Sequence, residues 1–269
     1  MTDLPDIFAD LAAEGADIDA MVAPLTEAEW ARPTPAPGWT VKHQIAHLIY
    51  IFGAAGLSAS DPEAFKAMAA KVGANFDAAV NAALADYLDD PPERLLERWQ
   101  TRRAATIEAL AAVPRDQVVP WLVRPLPPTV LASAGYMEMF AHGQDIRDAL
   151  GIWREPTDRI GHLYGFALLT RDFGYQTRGL TPPDVEFRFE LTAPSGATWA
   201  YGPENAENRI TGSAHDFCLL VVRRRHRDDL DLVATGAEAD RWMDIAQAYR
   251  GPAGEGRRPG QFAHIKAAV

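Results

Sequence analysis

Glu138 and His142 stand four residues apart in the run Glu138-Met-Phe-Ala-His142-Gly-Gln-Asp145. On a helix that spacing puts them one turn apart on the same face, where both can reach a single ion. His47, in Trp39-Thr-Val-Lys-His43-Gln44-Ile-Ala-His47-Leu48, would add a third ligand from a second helix. Two imidazoles and one carboxylate leave a coordination position open to water or substrate, whereas structural zinc sites are generally closed by four protein ligands. An open position implies Lewis-acid chemistry.

Each of these readings has a plainer rival. The three side chains could simply make hydrogen bonds on amphipathic helices. His43, one turn before His47, could pair with it instead; a metalloprotease-type pair would need Glu after the first histidine, and the residue there is Gln44. Asp145, three residues after His142, could orient a ligand or approach the ion itself, or be a solvated helix charge. Trp39 and Trp121 could form pocket walls, but for Trp39 a core position is favoured. The basic cluster Arg223-Arg224-Arg225-His226 could hold a carboxylate through bidentate hydrogen bonds or pair with the protein's own acidic surface. Cys218, between Phe217 and Leu219, reads as an inert buried thiol.

The elements that must carry these residues are legible in part. Apolar residues from Leu4 to Val22 recur at helical spacing, and Thr26-Glu-Ala-Glu29 has the form of a capping box. Thr40 is a plausible N-cap for the helix bearing His47. Ser60-Asp61-Pro62 opens an Ala-rich helical region over 63–88, and Pro91-Pro92 breaks it before another helix that Pro114 closes. Thr129 to Leu150 forms the helix of Glu138 and His142, with Gly151 as its C-cap. Residues 157–178 look helical. Val185 to Leu191 then alternates apolar and charged residues as a strand does, and Ser195-Gly196 turns the chain into a second strand over 197–201. Ser213 caps a helix running to about Arg225, a last helix carries Trp242 and Tyr249, and the Gly-, Pro- and Arg-rich stretch 251–260 reads as a loosely held tail.

The 269 residues, 48% hydrophobic and 23% charged, fit a soluble globular protein of two modest domains or one large one. A net charge of −11 offers no basic footprint for nucleic acid or an anionic membrane. The most apolar run, Leu48 to Leu57, is too short for a membrane span, which takes about 20 residues. One cysteine excludes an intramolecular disulfide, and the N-terminus lacks the pattern of a signal peptide; a cytoplasmic location is expected. Gly251-Pro-Ala-Gly254-Glu-Gly256 lacks the strand and helix that would frame a nucleotide loop.

Trp30-Ala-Arg-Pro33-Thr-Pro35-Ala-Pro37-Gly38-Trp39-Thr40-Val41, with His47-Leu48 and Glu138-Met-Phe-Ala-His142-Gly-Gln-Asp145, resembles the DinB-like superfamily and, within it, the mycothiol-dependent maleylpyruvate isomerase family. Gly212-Ser-Ala-His-Asp-Phe-Cys-Leu-Leu-Val-Val-Arg-Arg224 is similar to the helix of the small domain those isomerases append. The resemblance implies an α+β chain: a DinB-like four-helix bundle over 1–152 and a sterol-carrier-like α+β domain over 153–269. It implies a divalent metal, usually zinc, on His47, Glu138 and His142, a thiol cofactor such as mycothiol, and a small carboxylate-bearing substrate held by Arg224. The family's helix commonly ends Gly-Arg, so Arg223 and Arg225 stay open as alternatives. The segment Trp121 to Pro128, with Trp121 and Arg124, should line the pocket, and it departs from the metal-binding relatives. The implied activity is isomerisation or thiol transfer; a lyase, cyclase or hydrolase of secondary metabolism and a non-catalytic binder are the rivals. A monomer or homodimer is expected.

Overall fold

The computed structural model describes residues 6–71, 76–122 and 124–265. Two compact units divide the chain at Ile152 and Trp153, and its class is α+β, helices with one small sheet.

The first unit contains α1 (Ile7–Val22), α2 (Glu27–Trp30), α3 (Val41–Ser60), α4 (Pro62–Ala69), α5 (Phe76–Leu88), α6 (Pro92–Ala112) and α7 (Pro128–Leu150). Their starts are written in cap chemistry. Asp6 accepts from the Phe8 backbone N–H at 3.0 Å. Thr26 and Glu29 form the reciprocal capping box. Asp61 accepts from the Ala64 N–H at 3.0 Å, with Pro62 at the first helical position, where its missing donor costs nothing. α7 ends at Gly151, whose φ of 70° is a left-handed value that glycine adopts freely.

Helix α3 lies at the centre of this unit, packed against both α6 and α7, and α1 packs against the same two helices. Ile45, Leu48, Ile49 and Phe52 bury one long face of α3, and Phe52 meets Trp99 of α6 edge to face at 5.0 Å. Close approach is set by Gly56: a Cβ there would stand 2.8 Å from Thr106 Oγ1, the hydroxyl that donates to the Phe52 carbonyl at 2.8 Å. Arg103 of α6 clamps α1 with two parallel hydrogen bonds to Asp19, at 2.9 and 2.8 Å.

The second unit contains a 3₁₀ turn (Asp158–Ile160), α8 (Gly161–Leu169), α9 (Phe173–Gln176), β1 (Phe187–Thr192), β2 (Thr198–Tyr201), β3 (Asn208–Ser213), α10 (Ala214–Val221), a second 3₁₀ turn (Arg227–Asp229), β4 (Leu232–Thr235) and α11 (Ala237–Ile245). The sheet order is β2-β1-β3-β4, with β1 antiparallel to β2, parallel to β3, and β3 antiparallel to β4. Phe187, Phe189 and Leu191 bury the inward face of β1, and Phe189 meets Phe217 of α10 and Trp242 of α11 edge to face at 5.6 and 5.7 Å. Cys218 is fully buried in this core, and burial pushes its thiol far above the ordinary range, as expected of an inert residue.

Several elements differ from their sequence reading. The helical stretch 157–178 is broken at Thr170 into α8 and α9. Ser213 does cap α10, accepting from the Asp216 N–H, but the helix stops at Val221. Arg223 then takes φ 59°, its N–H bonding the Leu220 carbonyl at 2.8 Å and that of Arg224 the Leu219 carbonyl at 2.9 Å. This is a Schellman ending with arginine where glycine is usual, a left-handed residue that costs roughly 1–2 kcal/mol. The last helix also stops early, at Ile245, because Ala248 leaves it to bond the Val221 carbonyl at 2.8 Å. In the stretch read as a loose tail, the Gly260 N–H bonds the Asp229 carboxylate, and beyond it Arg225 lies 4.2 Å from the centre of the buried Phe262 ring. Part of the 63–88 helical reading falls outside the described residues, at 72–75.

No helix among the described residues is long and apolar enough to cross a membrane. Because α3 and α6 meet through Gly56, Gly56→Leu should lower the unfolding free energy by about 1–3 kcal/mol, the usual cost of overpacking. Urea denaturation checks this; an unchanged midpoint would mean that the two helices are not closely apposed there.

Candidate metal centre

Helices α3 and α7 bring His47, Glu138 and His142 together. Their ligating atoms all lie within 4.8 Å of one another, the arrangement a metal ion needs. Oε2 of Glu138 stands 3.3 Å from His47 Nε2 and 3.2 Å from His142 Nε2. Two donors bound at about 2.0–2.1 Å to a tetrahedral ion would stand about 3.3 Å apart. The imidazole centres are 4.4 Å apart. His47 is buried, and Glu138 and His142 are half-buried.

A hydrogen-bond relay fixes the chemistry of His142. The Trp39 carbonyl can only accept, so the Thr34 hydroxyl, 2.9 Å away, donates to it. Thr34 Oγ1 therefore accepts from the Gln44 amide nitrogen at 2.8 Å. That leaves the Gln44 carbonyl oxygen facing His142 Nδ1 at 2.6 Å, and Nδ1 must carry the proton. In neutral His142, Nε2 is then a bare lone pair aimed at a carboxylate oxygen. Two acceptors at 3.2 Å repel unless positive charge lies between them, either a proton or a metal ion. Burial pushes the Glu138 carboxyl up, but hydrogen bonds from His142 and His47 and their charge outweigh it and hold the group well below the usual carboxylate range. The site favours an anionic glutamate facing a cation.

Trp39 belongs to this site as well as to the core. Its ring packs against the cluster of Ala46, Val80 and Leu84, yet its centre is 5.3 Å from that of His47 and 5.9 Å from that of His142, nearly parallel to the latter. The core position favoured from the sequence is thus half of its role. Gln44 is the residue that sequence reasoning missed. It was noted there only as the wrong residue for a protease motif, although its spacing three before His47 places it on the same side of α3.

Family comparison agrees with this geometry. Residues 11–147, which include all three side chains, match the model of the mycothiol maleylpyruvate isomerase N-terminal domain. The chain belongs to this family. Residues 183–235, spanning β1 to β4, match a second model, described as wyosine base formation. Proteins from two strains of Mycobacterium tuberculosis, each named as uncharacterized, are 42% identical over 257 residues, covering 96% of this chain and 100% of their own length. A crystal structure of the mycothiol-dependent maleylpyruvate isomerase superposes with a TM-score of 0.56 at 17% identity, over 86% of this chain and 93% of that one. A mutant of that enzyme superposes with a TM-score of 0.55 at 16% identity, with the same coverage. At such identities the likeness is one of fold.

The remaining sequence candidates of this family member have contacts of their own. His43 turns to the start of α3, where Nδ1 accepts from the Thr40 N–H at 3.3 Å and meets its hydroxyl at 2.8 Å; it is a capping residue and not part of the ligand-spaced group. Asp145 is fully buried on α7 and also lies outside that group. Trp121 stacks on Phe65 at 5.5 Å, and Arg124 is exposed on the following loop. Arg224 is half-buried in the second unit, with Nη1 donating to the Val222 carbonyl at 2.7 Å.

Removing the relay acceptor with Gln44→Leu should weaken zinc binding by roughly 10–100-fold, the usual loss for a group that orients a metal-bound histidine. His43→Ala should leave the stoichiometry unchanged. Competition with a chromogenic chelator measures both; undiminished affinity in Gln44→Leu would remove the relay from the site.

Proposed function

We propose that this chain is a metal-dependent enzyme of the maleylpyruvate isomerase type, acting with a low-molecular-weight thiol on a small carboxylate-bearing substrate by isomerisation or thiol transfer. The observation that carries the proposal is the shared carboxylate oxygen between two histidine Nε2 atoms, one of them with its tautomer fixed. His47 Nε2, the Glu138 carboxylate and His142 Nε2 would hold the ion, and two imidazoles with one carboxylate suit zinc. Bound there, the ion would supply Lewis acidity, lowering the pKa of a thiol or water and polarising a carbonyl.

The chain's own residues do the rest. Gln44 keeps the His142 proton on Nδ1, and Trp39 covers one side of both imidazoles with an apolar face that keeps water off them. Arg224 is our candidate partner for a substrate carboxylate, since a planar guanidinium matches that group with two parallel hydrogen bonds. Trp121 and Arg124 are the candidates for further substrate contacts, and Asp145 for a supporting role behind the ligands. For a cis-configured conjugated diacid, reversible thiol addition turns the double bond into a single bond that rotates, and elimination restores it as trans. Mycothiol is the thiol named for the family and for the solved isomerase.

We further propose that α1, α3, α6 and α7 form a DinB-like four-helix bundle, which their mutual packing supports, and that the second unit is sterol-carrier-like. A cytoplasmic setting would supply the reduced thiol.

Elemental analysis of the purified protein should find about one zinc per chain, by analogy with three-ligand catalytic sites. Glu138→Gln and His142→Ala should each lose more metal affinity than the roughly 10–100-fold typical of outer-shell changes. Mycothiol-dependent isomerisation of maleylpyruvate should fall with the metal and return when zinc is restored. Full metal content and turnover in Glu138→Gln would overturn the ligand assignment; normal metal binding without mycothiol-dependent turnover would overturn the isomerase reading and leave the site.

A further inference from the structure

We propose that Arg178 and Arg223 form an oxyanion-binding site in the second unit that takes the phosphate or carboxylate of a small metabolite.

The first ground is the backbone of Arg223. It occupies the left-handed position of the Schellman ending of α10, where glycine would be unstrained and an arginine is not. Strain of this kind persists where the side chain serves something else. That side chain runs along the loop after α11: a Cβ on Gly256 would stand 2.9 Å from Arg223 Nη2. Its Nε is buried and has no hydrogen-bond partner among the described residues. A buried cationic donor without an acceptor is unfavourable, and an oxyanion would satisfy it.

The second ground is Arg178. Its Nη1 donates to two carbonyls, Gly174 at 2.9 Å and Ile245 at 3.1 Å, and among the described residues it forms no ion pair with a carboxylate. Burial, and then the nearby charge of Arg223, hold its guanidinium below the ordinary arginine value, so the two cations feel each other. Hydrogen bonds to backbone carbonyls bring the two residues into one neighbourhood. Arg178 grips Ile245, and three residues later Ala248 bonds Val221, two residues before Arg223.

Acidic residues outnumber basic ones 37 to 26 in this chain, so an arginine pair without an acid runs against its composition. Among the charged groups nearby, Arg250 is occupied by the Phe173 ring and Gln176, and Glu255 is exposed and outside any ion pair among the described residues. Two guanidinium forks match carboxylate and phosphate oxygens, which makes an oxyanion the fitting ligand. The plainer account is that Arg223 complements the helix dipole at the end of α10. That role needs neither a buried Nε nor a second arginine.

The test is a titration of the full-length protein with inorganic phosphate and, separately, succinate, at ionic strength held constant with sodium chloride, read by thermal unfolding and calorimetry. One of the two anions should raise the melting temperature saturably, as a ligand of the folded state does, and which one does so separates phosphoryl from carboxylate ligands. Arg223→Gly should melt no lower than wild type without anion, since glycine suits the position, and should bind the anion at least tenfold more weakly. Arg178→Gln should show the same tenfold loss. The proposal is overturned if neither anion acts beyond sodium chloride, or if Arg223→Gly keeps wild-type affinity, which would put the anion elsewhere, the His47 region included. A fall in both melting temperature and affinity in Arg223→Gly is decided by Arg178→Gln: a parallel loss supports the site, and unchanged affinity overturns it.

Discussion

A carboxylate oxygen of Glu138 faces two imidazole nitrogens, and everything around the site serves that confrontation. With His142 Nδ1–H donating to the Gln44 carbonyl oxygen, the neighbouring Nε2 has no hydrogen to offer unless the ring is doubly protonated. His142 and Glu138 therefore aim electron pairs at one small volume, where His47 Nε2 also faces the carboxylate at 3.3 Å. Such a set is unfavourable with nothing positive in it. The protein can relieve it with protons or with a metal ion, and an ion answers all three ligands at once.

The rest of the first unit can be understood as what keeps this arrangement from relaxing. If α3 could roll or slide on α7, His47 would turn away from Glu138 and the ligand set would be lost. Packing prevents that: α3 is held on one side by Phe52, Trp99 and the close contact at Gly56, and on the other by α7 itself. Its N-terminus is fixed by Thr40 and His43, and the irregular segment before it is tied back by Thr34, which joins Trp39 to Gln44. One strap thus sets the start of the helix, the orientation of Gln44 and the ring that covers the histidines.

Much of this was legible in the residues, and the parts that were not share a cause. Caps and breakers are local, so Asp61-Pro62, Thr26 with Glu29, and Gly151 announced their helix ends correctly. Glu138 and His142 were readable because helical periodicity turns a spacing of four into a shared face. Gln44 was not, because its role depends on Thr34 and Trp39, which a loop returns to it. β3 and β4 escaped for a similar reason: Asn208–Ser213 carries one strongly apolar residue, Ile210, and becomes a strand by pairing in parallel with β1, a partner distant in sequence. The early end of α10 was hidden by Arg223, since the usual sign of a left-handed stop is glycine.

The position of the ligands on two different helices has a consequence for the whole unit. An ion held by His47 from α3 and by Glu138 and His142 from α7 would join two elements that already share the Gln44–His142 hydrogen bond, and its binding free energy would add to the stability of their packing. Without an ion, the contact between His142 Nε2 and Glu138 needs a proton between two acceptors, whereas a metal-bound form would depend on metal supply. The two forms compete for one geometry. A site of this kind does not need to be assembled by its metal. The helices present the donors already facing one another, at separations a tetrahedral ion would require, and the cost of holding them there is met by packing remote from the ion. That division of labour leaves the coordination sphere free to remain incomplete, which is the condition for a thiol or carbonyl oxygen to enter it.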